Sequence, residues 1–393
     1  MHSFFQVIPD ENQPTRRRGM WFLILLLVCT LSLPLPWHTA DAGEIKGVTL
    51  TSWGYNALDE PSTVTTLKWL RCLGTTDIAI STENLITGPS ATILNKWELT
   101  GPDKRLAVAT RAARSMGMNV TIKPHYLLES SSDHLAYPAY KPYSWNIFFS
   151  NLTENVLAHA RIAQSAGANR LVIGTEMGGH ITGRKHRAKW SRLIRKVRTI
   201  FTGKLTYAAT TSTIWPDSES ANEAKYVAFW DLLDEVGVTV YPSLTKNQHP
   251  TKDQLKRAFF RNDEGHDSIA PLRELYTKTG KPVVVLEAGA RSIKGNFWET
   301  GSWQGTSQTI DNDAQTKLLT ASLEIWMVEM KKPWLTGLFL WEAMAYERHG
   351  ENREWWDTDY TFQHKPAMEV VKRFYAPGGS PTPMEPACRA FPY

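Results

Sequence analysis

Cysteine is scarce in this chain of 393 residues, which contains only three. One of them, Cys29, lies in an apolar segment near the N-terminus, so two remain for the rest of the chain. A fold held together by a dense disulfide framework is therefore excluded, and the chain must be stabilised by a hydrophobic core. The length and an apolar content of 42% are sufficient for one large core of that kind.

Several motifs that mark other classes of enzyme are also missing. No Gly-rich phosphate loop or Gly-x-Ser-x-Gly elbow follows a predicted strand, which argues against nucleotide and serine-hydrolase chemistry. The histidines form no metal-ligand spacing such as His-Glu-x-x-His, so we predict neither a catalytic metal nor a cofactor. The net charge of +5 is spread along the chain instead of forming a basic stripe, which predicts no nucleic-acid binding.

The N-terminus has the pattern of a targeting segment. Arginines at 16–18 precede an apolar run over 20–35, and Ala40-Asp41-Ala42 supplies a small-x-small motif for cleavage after Ala42. We predict that 1–42 is a signal peptide and that the protein is exported to the periplasm, the cell surface or the medium. The alternative is an uncleaved membrane anchor, because the apolar run is close to the roughly 17-residue lower limit for a membrane span.

From residue 43 onward, short β-branched runs alternate with longer amphipathic stretches, the pattern of parallel strands covered by helices. The predicted strands are 46–51, 76–81, 119–123, 170–175, 204–209, 237–241, 282–286 and 337–341. The predicted helices are 61–73, 103–116, 145–166, 186–200, 224–234, 267–279, 312–331 and 365–375. Eight such units in order predict an α/β fold in which a single (β/α)8 TIM barrel spans 43–376. An open doubly wound sheet is the alternative, and it would leave exposed strand edges.

The C-terminal segment 377–393 is rich in proline and glycine, which predicts an irregular or extended tail. In a closed barrel the last helix lies beside the first, so such a tail could bring Cys388 to Cys72. The two cysteines could then form a disulfide in an oxidising compartment.

In barrels of this type the catalytic groups project from the C-terminal ends of the strands. Polar and aromatic residues occupy most of these ends: Trp53 after strand one, Lys123 and His125 on strand three, Thr175 and Glu176 on strand four, Tyr241 on strand six, Glu287 on strand seven and Trp341 on strand eight. We therefore expect these side chains to converge on one mouth.

Glu176 and Glu287 follow strands four and seven, which face each other across a barrel. Two carboxyl groups so placed could bracket one sugar ring, and retaining glycoside hydrolysis needs such a pair about 5–5.5 Å apart. We assign Glu176 as the acid/base and Glu287 as the nucleophile, with Tyr241 as a hydrogen-bond donor to Glu287. The alternative is structural: each glutamate could cap a helix or join a buried ion pair.

The aromatic candidates have structural alternatives as well. Trp341 could offer an apolar face to the sugar or plug the top of the barrel. His125 could contact a sugar hydroxyl or close the barrel mouth, and Tyr241 could be an ordinary tyrosine at the edge of the core. Further tryptophans in the strand-end loops could form sugar subsites or anchor those loops: Trp215, Trp298, Trp303, Trp355 and Trp356.

Five segments resemble a known family. They are Ile-Gly-Thr-Glu-Met over 173–177, Glu-Ala-Gly-Ala-Arg-Ser over 287–292, Lys-Pro-His over 123–125, Leu-Thr-Tyr-Ala-Ala over 205–209, and Asp-Thr-Asp-Tyr-Thr-Phe over 357–362. In order and spacing they resemble glycoside hydrolase family 113, a β-mannanase family of the retaining (β/α)8 clan. The resemblance implies that Glu176 and Glu287 are the catalytic pair and that Lys123, His125 and Thr175 contact substrate. Insertions over 245–266 and 293–311 are expected to shape the cleft.

The resemblance implies a retaining β-glycosidase whose partner is a polysaccharide or oligosaccharide, with β-1,4-mannan as the expected substrate. Two alternatives stay open at this point. One is a barrel that binds polysaccharide without cleaving it, and the other is the same chemistry on a different β-glycan.

Overall fold

The predicted parallel strands close into a barrel in the computed structural model, which describes residues 44–52, 58, 60–95, 105–131, 133–136, 140–302, 309–351 and 358–376. The strands are β1 (Ile45–Thr51), β2 (Asp77–Thr87), β3 (Thr92–Asn95), β4 (Asn119–Leu128), β5 (Arg170–Thr175), β6 (Lys204–Thr211), β7 (Val236–Val240), β8 (Val283–Ala288) and β9 (Leu335–Met344). All but β3 pair in parallel with their neighbours, and β1 pairs with both β2 and β9. This closure confirms the (β/α)8 barrel and leaves no open edge between first and last strand.

Helices surround the barrel on its outer side. They are α1 (Glu60–Cys72), α2 (Arg105–Ser115), α3 (Trp145–Ala166), α4 (Gly179–Thr182), α5 (Arg187–Arg198), α6 (Lys252–Ala258), α7 (Ala270–Thr279), α8 (Asn312–Glu329) and α9 (Ala367–Tyr375). Local signals set the ends of α3, since the Ser144 side chain accepts from the backbone N–H of Ile147 and Gly167 adopts a left-handed φ of 78° after the last turn. Within the described ranges, no helix has the length and apolar character needed to cross a membrane.

One predicted helix is wrong. The segment 224–234 forms two short 3-10 turns, Glu223–Lys225 and Trp230–Leu232, instead of a continuous helix. Between them the backbone N–H of Ala228 donates to the carbonyl of Thr182 at 3.0 Å, and the adjacent Phe229 is fully buried. Tertiary contacts on several sides of the segment therefore override its helical pattern.

Two features of the structure go beyond the predicted strands and helices. β2 and β4 continue beyond their predicted ends, and β3 pairs antiparallel with the extension of β2. The insertion 245–266 contains α6, which starts at a reciprocal capping box between Thr251 and Gln254. The β2–β3 pair extends the sheet beyond the predicted strand ends, and α6 packs against α8 through ion pairs of Lys252 and Lys256 with Glu324.

The interior of the barrel is packed with side chains rather than open. Phe339 points into it with no solvent exposure, and a Cβ atom at residue 47 would lie 2.4 Å from the Phe339 ring. Only glycine therefore fits at position 47. Near the N-terminal ends of the strands, Arg170 donates to both carboxylate oxygens of Glu235, and it also donates to Thr121 at 3.0 Å.

This buried ion pair makes a prediction about stability. Glu235→Gln is expected to lower the free energy of unfolding by about 3–5 kcal/mol, because it removes the hydrogen-bonded counter-charge of the buried Arg170 guanidinium. Lys204→Met is the matched control: its ammonium lies 3.5 Å from the same carboxylate, but its side chain is 56% exposed, and we expect a loss below about 1 kcal/mol. Urea unfolding of both variants measures the difference, and equal losses would contradict the assignment.

Cys72 ends α1 and is disulfide-bonded. Its predicted partner Cys388, the predicted leader 1–42 and the predicted tail 377–393 lie outside the described residues.

Candidate active site

Glu287 stands at the C-terminal end of β8 and is held on both carboxylate oxygens. The Lys123 ammonium, on β4, donates to Oε1, and the Tyr241 hydroxyl, just after β7, donates to Oε2 at 2.9 Å. Lys123 is completely buried and Glu287 is 4% exposed. The predicted role of Tyr241 as a donor to Glu287 therefore agrees with this geometry.

Lys123 and His125 together set the protonation state of Glu287. Burial is the largest single influence and raises the pKa of Glu287, but the charge of Lys123 and the hydrogen bonds from Lys123 and His125 together outweigh burial, and the net pKa lies below its ordinary value. Glu287 is thus an ionised carboxylate at neutral pH, which is the form required of a nucleophile.

Glu176 follows β5 in an unusual backbone conformation. Its φ is +49°, in the left-handed region that residues other than glycine rarely adopt. Its backbone N–H donates to the carbonyl of Ala208 at 2.9 Å, which ties this turn to β6. The side chain accepts from the Thr239 hydroxyl at 2.5 Å, and its second oxygen lies 3.3 Å from Nε2 of His134.

The environment of Glu176 favours the protonated form. Burial is the largest cause of its raised pKa, and the negative charge of Glu287 adds to the effect. His134 and the Thr239 hydrogen bond act in the opposite direction without reversing it. The pKa values of the two carboxyl groups are therefore shifted in opposite directions. Glu176 is favoured as a protonated acid, and Glu287 is favoured as an ionised nucleophile.

His125 and Trp341 form a wall beside Glu287. The ring centroids of these two residues are 5.1 Å apart, and the Lys123 ammonium lies 4.7 Å from the centre of the Trp341 ring. Burial, together with the charge of Lys123, lowers the pKa of His125 to about 3, so the imidazole is neutral. Nε2 of His125 lies 2.7 Å from the Lys123 ammonium and 3.2 Å from Oε1 of Glu287, so His125 belongs to the same buried cluster.

The other predicted binding residues differ in their burial and contacts. The Thr175 hydroxyl is fully buried and donates to the carbonyl of Pro124 at 2.9 Å, so it joins β5 to β4. Trp341 is 4% exposed and offers little free surface to a sugar ring. Trp53 lies outside the described residues.

The loop tryptophans also differ in exposure and contacts. Trp215 is 59% exposed, which leaves an indole face available near the end of β6. The ring of Trp298 is covered by the Lys246 ammonium at 4.5 Å, so it serves as a loop anchor on that side. Trp303, Trp355 and Trp356 lie outside the described residues.

Two residues that contact Glu176 were missed by the sequence analysis. Thr239 lies on β7 two positions before Tyr241, which directly follows that strand, so the alternation of side chains could have placed both on the same side. His134 has no such signal. It reaches the site because the chain turns back after β4, where Leu127 and His134 form an isolated antiparallel bridge.

A metal site is not apparent in the described part of the chain, where no group of three or more histidine, cysteine, aspartate or glutamate residues is arranged to hold an ion. The side chains around Glu176 and Glu287 instead supply hydrogen-bond donors, one buried cation and aromatic rings.

The comparison with known structures agrees with this architecture. One structure of a family 113 β-1,4-mannanase in a complex is 20% identical, with a TM-score of 0.65 over 85% of this chain and 99% of that chain. The family 113 β-mannanase AaManA from Alicyclobacillus acidocaldarius, in complex with ManMIm, is 21% identical, with a TM-score of 0.64 over 85% and 98%. At these identities the likeness shows the shared barrel fold.

More distant barrels are similar as well. A GH5_18 protein from Bifidobacterium longum subsp. longum, in complex with Manβ1-4GlcNAc, is 13% identical, with a TM-score of 0.52 over 84% of this chain and 78% of that chain. No curated protein sequence matches the chain.

The model of Glycoside Hydrolase Family 113 matches residues 51–365, which include every barrel strand except β1, of which only Thr51 is matched. The match covers most of the chain and contains both candidate carboxylates. The chain therefore belongs to Glycoside Hydrolase Family 113 and is a glycoside hydrolase.

Proposed function

We propose that this enzyme hydrolyses β-1,4-mannan or manno-oligosaccharides with retention of configuration, using Glu287 as nucleophile and Glu176 as acid/base. The observation that carries the proposal is the pair of carboxyl groups in one barrel mouth, where Lys123 and Tyr241 hold Glu287 as a carboxylate and Glu176 is buried in surroundings that favour its protonated form. Glycosidases need this division between an ionised and a protonated carboxyl group.

In the first step, an oxygen of Glu287 attacks the anomeric carbon while Glu176 gives its proton to the glycosidic oxygen. The bond between the anomeric carbon and that oxygen breaks, the aglycone leaves as an alcohol, and a glycosyl ester forms on Glu287. The Tyr241 donor and the Lys123 ammonium hold the Glu287 carboxylate before the attack, so it need not reorganise when the sugar arrives.

In the second step, Glu176 acts as the base. It takes a proton from water, the water oxygen attacks the anomeric carbon, and Glu287 is released as a carboxylate. Because Glu287 is uncharged while it carries the ester, its contribution to the raised pKa of Glu176 disappears at this stage. Glu176 therefore becomes a stronger acid, and its ionised form is available when a base is needed.

Mannan as substrate is supported by the proteins that this chain resembles. Two of them are described as β-mannanases of the same family, and the more distant GH5_18 protein is in complex with a mannosyl disaccharide. The ring that binds between Glu176 and Glu287 would then carry the axial 2-hydroxyl of mannose.

The direct experiment is hydrolysis of β-1,4-mannan, manno-oligosaccharides, β-glucan and xylan, with the first anomer released followed by NMR. We expect mannan and its oligosaccharides to be cleaved fastest, with the β-anomer appearing first. An α-anomer appearing first would refute retention, and faster cleavage of glucan or xylan would refute the choice of substrate.

Tyr241→Phe removes one donor from the nucleophile and tests the site without removing a carboxylate. A hydrogen bond to a charged group contributes about 1.5–3 kcal/mol, so we expect kcat/KM to fall by about 10- to 100-fold. The acidic limb of the pH profile should move to higher pH, because the Glu287 carboxylate loses a stabilising contact. Tyr126→Phe is the matched control, since its buried hydroxyl donates to Asn155 outside the mouth, and it should change kcat/KM little.

We also propose that the enzyme is exported, which is supported by the arginines at 16–18, the apolar run over 20–35 and the small residues around 42. Cell fractionation with N-terminal sequencing tests this. A mature chain that begins at Gly43 in an exported fraction supports a cleaved signal. A full-length chain that stays in the membrane after carbonate extraction supports the anchor instead.

A further inference from the structure

A third carboxyl group is buried behind the acid/base residue, and the proposed reaction does not use it. Glu223 has no solvent exposure. Its Oε1 accepts from the Tyr207 hydroxyl at 2.7 Å and from the Thr182 hydroxyl at 3.1 Å. Its Oε2 is buried and has no hydrogen-bond partner among the described residues. Such a group is costly to bury, which calls for an explanation of its presence.

Tyr207, the first partner of Glu223, touches the chain on both sides of Glu176. Its hydroxyl accepts from the backbone N–H of Met177 at 2.9 Å. Its ring lies against Gly174, where an added Cβ would lie 2.7 Å from the Cε2 atom of the ring. The Tyr207 side chain therefore contacts both Gly174, before the turn, and Met177, directly after Glu176.

Thr182, the second partner, holds the far side of the same turn. Its backbone N–H donates to the carbonyl of Gly178 at 3.1 Å, while its hydroxyl donates to Glu223. Within this turn Glu176 has a φ of +49°, which backbone preferences disfavour in residues other than glycine. A conformation of this kind persists only when its surroundings hold it in place.

We infer that Glu223 is a positioning residue for the acid/base: by fixing Tyr207 and Thr182, it holds the turn that directs the Glu176 carboxyl at the glycosidic oxygen. The inference rests on the proposed function, because it assumes that Glu176 is the proton donor. Glu223 itself touches neither substrate nor Glu287 in this arrangement.

The protonation state of Glu223 fits this role. Burial raises its pKa to about 8, so the group is mainly a neutral carboxylic acid at pH 7. A neutral group accepts the tyrosine hydroxyl without placing a second negative charge behind Glu176 when that residue ionises. Glutamine has the same shape and no charge, and it should replace Glu223 in this task.

The experiment compares two substrates in the full-length enzyme. A manno-oligosaccharide has a poor leaving group and needs the proton of Glu176. The dinitrophenolate of 2,4-dinitrophenyl β-mannoside leaves without that proton. For Glu223→Leu we expect kcat/KM to fall at least about tenfold on the oligosaccharide and to change by less than about twofold on the aryl substrate, since general acid catalysis contributes about 10²–10⁴-fold. Glu223→Gln should restore the wild-type values on both substrates.

Tyr207→Phe provides a second route if Glu223→Leu does not fold, because it keeps the ring on Gly174 and removes only the hydroxyl. It should show the same difference between the two substrates. Glu235 is buried at the other end of the barrel, so Glu235→Gln is the control for general destabilisation. It should show no difference between the two substrates.

Equal losses on both substrates, or no loss in Tyr207→Phe, would overturn the inference and leave Glu223 with a purely structural role. Wild-type enzyme that cleaves neither substrate would refute the proposed function, and the inference with it. If the wild-type enzyme is active but Glu223→Leu and Tyr207→Phe show no difference between the two substrates, only the inference is refuted.

Discussion

Glu287→Ala is expected to lower the hydrolysis of manno-oligosaccharides by about 10⁴-fold or more, the loss typical of removing an enzyme nucleophile. Without this carboxylate no glycosyl ester can form, although Lys123, Tyr241 and Glu176 all remain in place. Binding of the oligosaccharide should change far less than kcat, since the side chain removed acts at one atom of one sugar.

The role of Glu287 is identified by chemical rescue. Azide fits in the space left by the missing side chain, attacks the anomeric carbon from the same face and should release α-mannosyl azide from an activated β-mannoside. Glu235→Gln, which lies at the opposite end of the barrel, should show no response to azide. A Glu287→Ala enzyme that keeps wild-type turnover would contradict the nucleophile assignment. A wild-type chain that binds mannan and never cleaves it would favour a carbohydrate-binding barrel.

Glu176→Ala is the second change with a large expected effect, and its signature differs from the first. On manno-oligosaccharides kcat/KM should fall by about 10²–10⁴-fold, because the glycosidic oxygen must leave without a proton. On 2,4-dinitrophenyl β-mannoside the first step should proceed nearly unchanged, and the glycosyl ester should accumulate because no base activates water. Added azide should then give β-mannosyl azide, with the configuration retained.

The pH profile provides an independent check on Glu176. The wild-type enzyme is active when Glu287 is ionised and Glu176 is protonated, so kcat/KM should be bell-shaped. The acidic limb follows the lowered pKa of Glu287 and the alkaline limb follows the raised pKa of Glu176. In Glu176→Ala the alkaline limb of kcat/KM on manno-oligosaccharides should disappear while the acidic limb stays. An alkaline limb that persists would assign it to another group.

Local sequence signals were sufficient for most elements of the barrel. The bounds predicted for α3 and β5 agree with the structure, because apolar periodicity, a serine at the start and a glycine after the end act through neighbouring residues. The same periodicity failed over 224–234, where buried contacts to Thr182 and the core decide the backbone instead. The capping box of Thr251 and Gln254 is a local signal that could have located α6.

The sequence by itself determined that Glu176 and Glu287 end two strands of one barrel, because the order of the strands and the two-residue alternation of their side chains can be recognised in the sequence. Only the tertiary structure decided how these two carboxyl groups differ. Their pKa values depend on burial and on the charge of Lys123, and the turn that carries Glu176 depends on Tyr207 and Glu223. Those partners are far apart in sequence, and the contacts between them exist only once the barrel has closed.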